Sequence, residues 1–136
     1  MPAERQLDRL LAGMKPVLDA PIFVFVCLGH REVVPDGVRP LMQFEESEGR
    51  TLILARDDAE RAGLAFTYPC RRITLSVQSA LDAVGFIASV AAALSEAGIS
   101  CNPVAGYHHD HLFVPADRAA DALRVLEELG RRGDFD

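Results

Sequence analysis

Apolar residues in this chain alternate between helical spacing and strand-like runs. Over residues 6–14, four of them follow the i, i+3, i+4, i+7 spacing of an amphipathic helix, and Pro16 predicts its end. The next run, residues 22–28, is β-branched and aromatic without alternation, which is typical of a central strand covered on both faces. Residues 29–40 contain two glycines and two prolines, and we expect a loop there.

The following stretch is predicted to form a hairpin and then a short helix. Strands over residues 41–45 and 50–55 flank a Glu-Ser-Glu-Gly sequence that suits a tight turn. A short helix over residues 57–62 is expected to end at Gly63. Residues 65–70 then link to the next strand.

The second half begins with a strand that leads into a long helix. Residues 72–77 alternate polar and apolar side chains, as a half-buried strand does. Helical spacing predicts a helix over about residues 84–97, capped at its start by Ser79 or Asp82 and ended by Gly98.

A second hairpin and a final helix complete the pattern. Strands are predicted over residues 99–105 and 111–114, around a turn at 106–110. A helix follows over residues 117–129 and is expected to end at Gly130.

The two halves match in register, which suggests a tandem repeat. Residues 52–59, LILARDDA, lie 60 positions before residues 112–119, LFVPADRA. The strand at Phe23 precedes its counterpart at Ile73 by 50 positions, and the missing ten fall where only the second half has a long helix. We interpret the first copy as a repeat that has lost a helix, although unrelated β–β–α units also share such patterning.

This organisation predicts three segments. Residues 1–20 would form an N-terminal amphipathic arm, residues 21–70 a degenerate first unit, and residues 71–136 a complete second unit.

The composition of the chain argues against some classes of binding partner. The chain has 136 residues, 49% of them hydrophobic, and a net charge of -6. The negative charge argues against nucleic acid, because phosphate binding needs clustered Lys and Arg. No basic, apolar leader begins the chain and no apolar run reaches the ~18 residues of a membrane span, so we expect a cytoplasmic protein without a membrane partner.

The cysteines do not form a recognisable motif. There are three of them and no C-x-x-C, which argues against a disulfide scaffold or a structural zinc site. Cys27 and Cys101 lie in apolar runs and are expected to be buried, whereas Cys70 is expected to be more exposed.

The strand–helix–strand–strand–helix order, with a glycine in the first turn of its first helix, resembles the ACT domain. Residues 79–85 (SALDAVG), 97–102 (AGISCN) and 104–114 (VAGYHHDHLFV) are similar to a family of small bacterial tandem ACT-domain proteins. The resemblance implies an α+β, ferredoxin-like fold of the βαββαβ type, with an antiparallel sheet, helices on one face and a degenerate first copy. It also implies an amino acid or similar effector at the strand-to-helix loop, and sheets that pair edge to edge.

The candidate ligand site lies in that loop. The missing Cβ of Gly85 would let a ligand approach the backbone, and the N–H groups of residues 84–86 at a helix N-terminus favour a carboxylate. Close packing of the helix on the sheet would explain Gly85 equally well. Asn102 is expected to orient the ligand amine, unless it only forms a turn with Pro103. The candidate ligand-binding residues are Ser79, Asp82, Val84, Gly85, Phe86 and Asn102.

Asp82 admits two interpretations. As a cap it would satisfy the same N–H groups and repel a ligand carboxylate. It therefore either points away from the ligand or pairs with the ligand's amino group.

The run His108, His109, Asp110 and His111 is a second candidate. His109 and His111 would share a strand face and could bind a metal together, with Asp110 as a further ligand. The alternatives are a ligand rim, a subunit contact, or a polar hairpin turn, and the hairpin turn is the interpretation we prefer. We assign no metal to the site.

No catalytic signature is present: the chain lacks G-x-S-x-G, a Walker loop and H-E-x-x-H. We therefore predict a non-catalytic sensor that binds a small amino-acid-like effector without a cofactor and forms a homodimer. The alternatives are a ligand-free dimerisation module and a protein that binds metal through its histidines.

Overall fold

The computed structural model describes residues 3–133, which divide into two compact units. One unit, here called the inserted unit, is Pro21–Cys70. The other, here called the flanking unit, consists of the described residues of Met1–Ala20 together with those of Arg71–Asp136. The chain therefore enters the flanking unit, leaves it for the inserted unit, and returns.

The elements follow one another in a regular order. The helices are α1 (Leu7–Gly13), α2 (Arg56–Arg61), α3 (Phe86–Glu96) and α4 (Ala119–Gly133), the last preceded by a 3-10 turn at Ala116–Arg118. The strands are β1 (Pro16–Leu18), β2 (Phe23–Leu28), β3 (Met42–Glu46), β4 (Gly49–Ala55), β5 (Thr67–Leu75), β6 (Asn102–Ala105) and β7 (Asp110–Pro115). Strand β5 crosses the boundary, so residues 67–70 belong to the inserted unit and residues 71–75 to the flanking unit.

The inserted unit is a four-stranded sheet in the order β3-β4-β2-β5. Strand β2 pairs antiparallel with β4 and with the first part of β5, and β3 pairs antiparallel with β4. The stretch between β2 and β3 contains turns but no helix, as the degenerate repeat predicts. Val34 and Val38 of this stretch pack against the core formed by residues of β2, β4 and α2.

The flanking unit repeats this order with its helices complete. Strand β1 pairs antiparallel with β5, with Pro16 opposite Leu75, and β7 lies between β5 and β6. Helices α1, α3 and α4 all contribute to one core that also contains the inward residues of β5 and β7. This is the antiparallel, ferredoxin-like α+β arrangement.

The N-terminal residues form a strand as well as the expected amphipathic helix. They belong to the flanking unit because β1 supplies its fourth strand and because Leu10 and Met14 are fully buried in its core. The sequence pattern predicted the helix but not the strand, since three residues beside a proline carry little strand signal. Residues 67–70, predicted as a linker, are also strand.

Helix α4 continues past Gly130, where the sequence predicted its end. A Cβ on Gly130 would lie 3.3 Å from the backbone oxygen of Leu11. This glycine therefore allows α1 and α4 to approach each other closely, and it does not terminate the helix.

The exposure of Cys27 and Cys70 is the reverse of what the sequence predicted. Cys70 is fully buried, Cys101 is half-buried and Cys27 is exposed, and all three are free thiols. Burial raises the pKa of Cys70 to about 12 and that of Cys101 to about 11. Both side chains are therefore thiols at neutral pH. Among residues 3–133, no helix has the length and apolar character that crossing a membrane requires.

The turn between β3 and β4 depends on Gly49. Its φ is +153°, and a Cβ there would lie 2.5 Å from the backbone oxygen of Leu28. We predict that Gly49→Ala lowers the free energy of unfolding by about 2 to 5 kcal/mol, because the clash involves backbone. The measurement is urea denaturation of both proteins.

Gly37→Ala is the matched control for this prediction. Gly37 also has a positive φ, +83°, but a Cβ there would contact no atom within 4 Å. Its loss should be limited to about 1 to 2 kcal/mol of conformational strain. Equal losses in the two variants would contradict the steric role assigned to Gly49.

Candidate functional site

The candidate site lies in the flanking unit, where β5 ends and the chain leads to α3. The N-terminal residues hold this loop in place. The backbone N–H of Glu4 donates to the oxygen of Gln78 at 2.9 Å, and the N–H of Ala80 donates to the oxygen of Glu4 at 2.8 Å. This parallel pairing fixes the loop before it reaches the helix.

Helix α3 begins without a side-chain cap. Its N-cap residue is Gly85, which has a left-handed backbone with φ +91°. The N–H of Ser89 donates to the oxygen of Gly85, but the N–H groups of residues 86–88 have no hydrogen-bond acceptor among residues 3–133. Three backbone donors therefore remain available at the positive end of the helix dipole.

The predicted caps are wrong because both side chains bind elsewhere. Asp82 forms an ion pair with Arg5, with 2.9 Å between Oδ1 and Nε, and both side chains are largely exposed. Ser79 donates its hydroxyl hydrogen to Oδ2 of Asp110 at 2.8 Å. Neither side chain reaches the amide groups at the start of α3.

Gly85 is required by its backbone conformation. A Cβ at this position would meet only Cδ2 of Leu7, at 3.6 Å, which is an ordinary contact. Close packing against the sheet therefore does not explain the glycine. A side chain would instead be strained at φ +91°.

Asp110 is the buried acidic group of the site. It is the first residue of β7 and is 8% exposed. Its Oδ2 accepts the hydrogen bond from Ser79, whereas its Oδ1 has no hydrogen-bond partner among the described residues. A buried carboxylate with one available oxygen favours a cation or another hydrogen-bond donor beside it.

These groups line one cavity of about 200 Å³, here called the inner cavity. The loop, the first turn of α3 and the facing ends of β6 and β7 all contribute to it. Its lining residues are Ser79, Ala80, Leu81, Ala83, Gly85, Phe86, Ile87, Ala88, Ala105 and Asp110. The inner cavity is thus lined both by residues of the first turn of α3 and by Asp110.

The other predicted ligand residues take different positions. Phe86 contributes its backbone to the cavity while its side chain is buried in the core. Val84 is 84% exposed and does not line the cavity.

Asn102 does not reach the site. It is exposed at the start of β6 and lies opposite Phe113, whereas the cavity is at the other end of the strand, where Ala105 pairs with Asp110. Three residues of strand separate the two ends by roughly 10 Å.

The three histidines of residues 108–111 have neighbouring rings. The ring centroids of His109 and His111 are 6.5 Å apart, and those of His108 and His109 are 6.4 Å apart. No group of three or more His, Cys, Asp or Glu side chains within residues 3–133 is arranged to hold a metal ion. His108 lies beside the site, with its Nδ1 3.4 Å from Nε2 of Gln78.

A second depression, here called the outer cavity, adjoins the inner one. Its volume is about 410 Å³, and it shares Ser79, Ala80 and Leu81 with the inner cavity. Its remaining lining residues are Ala3, Arg5, Gln78, Asp82 and Tyr107. Sequence reasoning missed Arg5 and Gln78, because only the long-range backbone pairing of Glu4 brings the N-terminus to this loop.

His111 is a half-buried histidine of β7. Its Nδ1 lies 3.0 Å from Oγ1 of Thr74. Burial lowers the pKa of His111 below its usual value near 6.5, and the charges of Arg72 and His109 lower it further, against smaller opposing effects of Asp110 and Asp19.

This lowered pKa predicts a pH dependence of stability. As the pH falls below about 6.5, the unfolded chain binds a proton at His111 before the folded chain does, so the free energy of unfolding decreases. His111→Asn keeps a polar atom near Thr74 and removes this titration. We expect its urea-unfolding free energy to fall less steeply than that of the wild type between pH 6.5 and 5.

The free energy of unfolding at pH 8 is the reference for that comparison, because the imidazole is then neutral in both the folded and the unfolded chain. Parallel pH profiles for the two proteins would show that His111 titrates alike in the folded and unfolded chains, against this prediction.

Comparison with known proteins identifies the family. ACT-domain models match residues 2–71 and residues 67–128. A search of curated proteins finds no match to the chain.

Solved structures show the same fold. A Vibrio cholerae protein of unknown function, named as a possible transport protein, is 40% identical, with a TM-score of 0.81 over 91% of this chain and 95% of its own. A protein from Agrobacterium tumefaciens is 19% identical, with a TM-score of 0.68 over 81% and 84% of the two chains. The regulatory subunit of aspartate kinase from Thermus flavus is 14% identical, with a TM-score of 0.66 over 87% and 98%. The chain therefore belongs to the ACT-domain family and carries two such domains in tandem.

Proposed function

We propose that this protein is a non-catalytic cytoplasmic sensor that binds a free amino acid in the inner cavity of its flanking unit. One observation carries the proposal: unpaired amide donors at the start of α3 and the buried carboxylate of Asp110 line the same cavity. An α-amino acid carries a carboxylate and an ammonium group on one carbon, and so complements both.

The ligand carboxylate would bind at the N-terminus of α3. The N–H groups of residues 86–88 are its donors, and the helix dipole adds to the attraction. The left-handed turn at Gly85 exposes these groups and removes the need for a capping side chain. A ligand carboxylate would act as the missing cap.

The ligand ammonium group would bind Oδ1 of Asp110. Ser79 occupies the other carboxylate oxygen and fixes the orientation of the side chain. Charge-assisted hydrogen bonds of this kind are the stronger ones in a partly buried site. Asp110 thus takes the role first expected of Asn102.

The chemistry of Ser79 and of the two buried or half-buried cysteines supports binding rather than catalysis. The hydroxyl of Ser79 donates to a carboxylate and is not paired with a histidine that could activate it. The raised pKa values of Cys70 and Cys101 disfavour a reactive thiolate. Free thiols also fit a reducing compartment. The fold shared with a subunit named as regulatory is consistent with a sensing role.

The test is a thermal-shift screen of the purified protein against the twenty amino acids. A ligand present at a hundred times its dissociation constant should add about 2.7 kcal/mol of stability and raise the Tm by several degrees. We predict that Asp110→Asn abolishes most of this rise, because the amide can still accept the hydrogen bond from Ser79 but no longer attracts an ammonium group.

Asp36→Asn is the matched control, since Asp36 is an exposed aspartate in the loop of the inserted unit. It should respond to the ligand as the wild type does. A folded wild-type protein whose Tm no amino acid raises would refute the proposed function.

A second candidate function, assembly into a homodimer, is favoured by the edge of the inserted unit. Strand β3 is the outer strand there and contains no proline or lysine, and its two charged residues, Glu45 and Glu46, lie at its end and contact Arg50 and Thr51. Strands β1 and β6, at the edges of the flanking unit, contain Pro16 and Pro103. Phe44 on β3 is 64% exposed, which suits an apolar contact with the β3 strand of a second copy.

For this candidate we predict that Phe44→Lys shifts the protein from dimer to monomer. A lysine on an edge strand opposes pairing, and the exposed side chain contributes little to the stability of a single chain. Sedimentation velocity over a range of concentrations measures the change. Val33→Lys, at a residue that is 83% exposed in a loop of the same unit, should leave the dimer intact. A wild-type protein that stays monomeric would exclude assembly.

A further inference from the structure

The outer cavity bears on which amino acid is bound. It shares the lining residues Ser79, Ala80 and Leu81 with the inner cavity. If the α-carboxylate and ammonium groups occupy the inner cavity, a ligand side chain of sufficient length extends into the outer one. The groups of the outer cavity would then select the ligand.

The Arg5–Asp82 ion pair is the main polar feature of that cavity. It uses one nitrogen of the guanidinium group, Nε, and one oxygen of the carboxylate, Oδ1. The terminal nitrogens of Arg5 and Oδ2 of Asp82 have no other hydrogen-bond partner among residues 3–133. The pair therefore offers donors and an acceptor side by side while carrying no net charge.

Arg5 is held at the cavity by backbone structure. The residue before it, Glu4, pairs with the loop through hydrogen bonds to Gln78 and Ala80. The ion pair thus joins the N-terminal segment to the same loop that lines the inner cavity. A side chain held in this way can form hydrogen bonds to a ligand group without a large rearrangement.

We propose that the site selects amino acids with a carboxamide side chain, glutamine or asparagine, through the Arg5–Asp82 pair. This inference rests on the proposed function. A carboxamide has an oxygen that accepts from Arg5 and an NH₂ group that donates to Asp82, so it satisfies both partners. A side-chain carboxylate would be repelled by Asp82, an ammonium group by Arg5, and an apolar side chain would leave both unsatisfied.

The inference is tested by isothermal titration of the full chain with glutamine, asparagine, glutamate, lysine and methionine. The wild-type protein should bind one of the two amides about threefold to tenfold more tightly than the other three ligands, a range set by the exposure of the pair. Methionine is the control for chain length without hydrogen bonding.

Two variants should change this preference in opposite directions. Asp82→Ala leaves Arg5 without its carboxylate, so glutamate should gain affinity relative to glutamine. Arg5→Ala leaves Asp82 without its guanidinium, so lysine should gain instead. Both side chains are about two-thirds exposed, so the variants should fold. Arg39→Ala and Asp36→Ala, in the loop of the inserted unit, are matched controls and should keep the wild-type order.

The outcomes separate this inference from the proposed function. An amide preference that shifts in both variants as described supports it. Binding of amino acids without an amide preference, or an order that neither variant alters, overturns it and leaves the sensor function standing. If no amino acid binds to the wild-type protein, the proposed function fails and the inference fails with it.

Discussion

Backbone pairing of the N-terminal residues organises the flanking unit and its cavities. Strand β1 supplies the fourth strand of the sheet by pairing with β5, and Glu4 then pairs with the loop that follows β5. Residues more than 50 positions apart in the chain are thereby joined by peptide groups rather than by exchangeable side-chain contacts. Glu4 thus fixes the start of the loop, and α3 then begins at a left-handed glycine without a capping side chain.

The buried carboxylate of Asp110 sets the chemistry of the inner cavity. Ser79 donates to one oxygen of this carboxylate, and the other oxygen is not enclosed, since no fully buried side-chain oxygen or nitrogen of the described residues lacks a partner. The N–H groups at the start of α3 are donors without acceptors among the described residues. Asp82 does not cap them, because its side chain is paired with Arg5. A dipolar ligand would complement both groups, with its carboxylate at these N–H groups and its ammonium group at Asp110.

The sequence predicted the regular elements well because their signals are local. The spacing of Leu7, Leu10 and Met14, the turn at Gly49 and the apolar runs of β2 and β7 all appear in short windows. What it missed depends on contacts between distant residues. Gly130 was taken for a helix end because the backbone of Leu11, which approaches it, lies far away in the chain. The burial of Cys70 escaped prediction because residues 67–70 give a weak strand signal beside a proline.

In the candidate site, too, local signals could be predicted from the sequence, whereas contacts between distant residues could not. Gly85 and the start of the helix could be located within a residue or two, since the helical spacing of apolar residues begins directly after this glycine. The sequence alone indicates Asp110 only as part of a histidine run, and it leaves open whether the start of β6 faces the Gly85 loop. Strand register answers both questions: the pairing of β6 with β7 places Asp110 opposite Ala105 and Asn102 opposite Phe113, and no short window of sequence contains that information.

The loss of one helix explains why the same chemistry is not repeated in the inserted unit. There the stretch after β2 is held as a loop by polar contacts: the N–H of Gly29 donates to Glu32, and Arg50 donates to the backbone oxygen of Glu32. Val34 and Val38 cover the apolar face where a helix would pack. Without a helix, this stretch has no row of free amide groups aligned with a dipole. The stretch after β2 therefore offers no counterpart of the helix N-terminus that lines the inner cavity of the flanking unit.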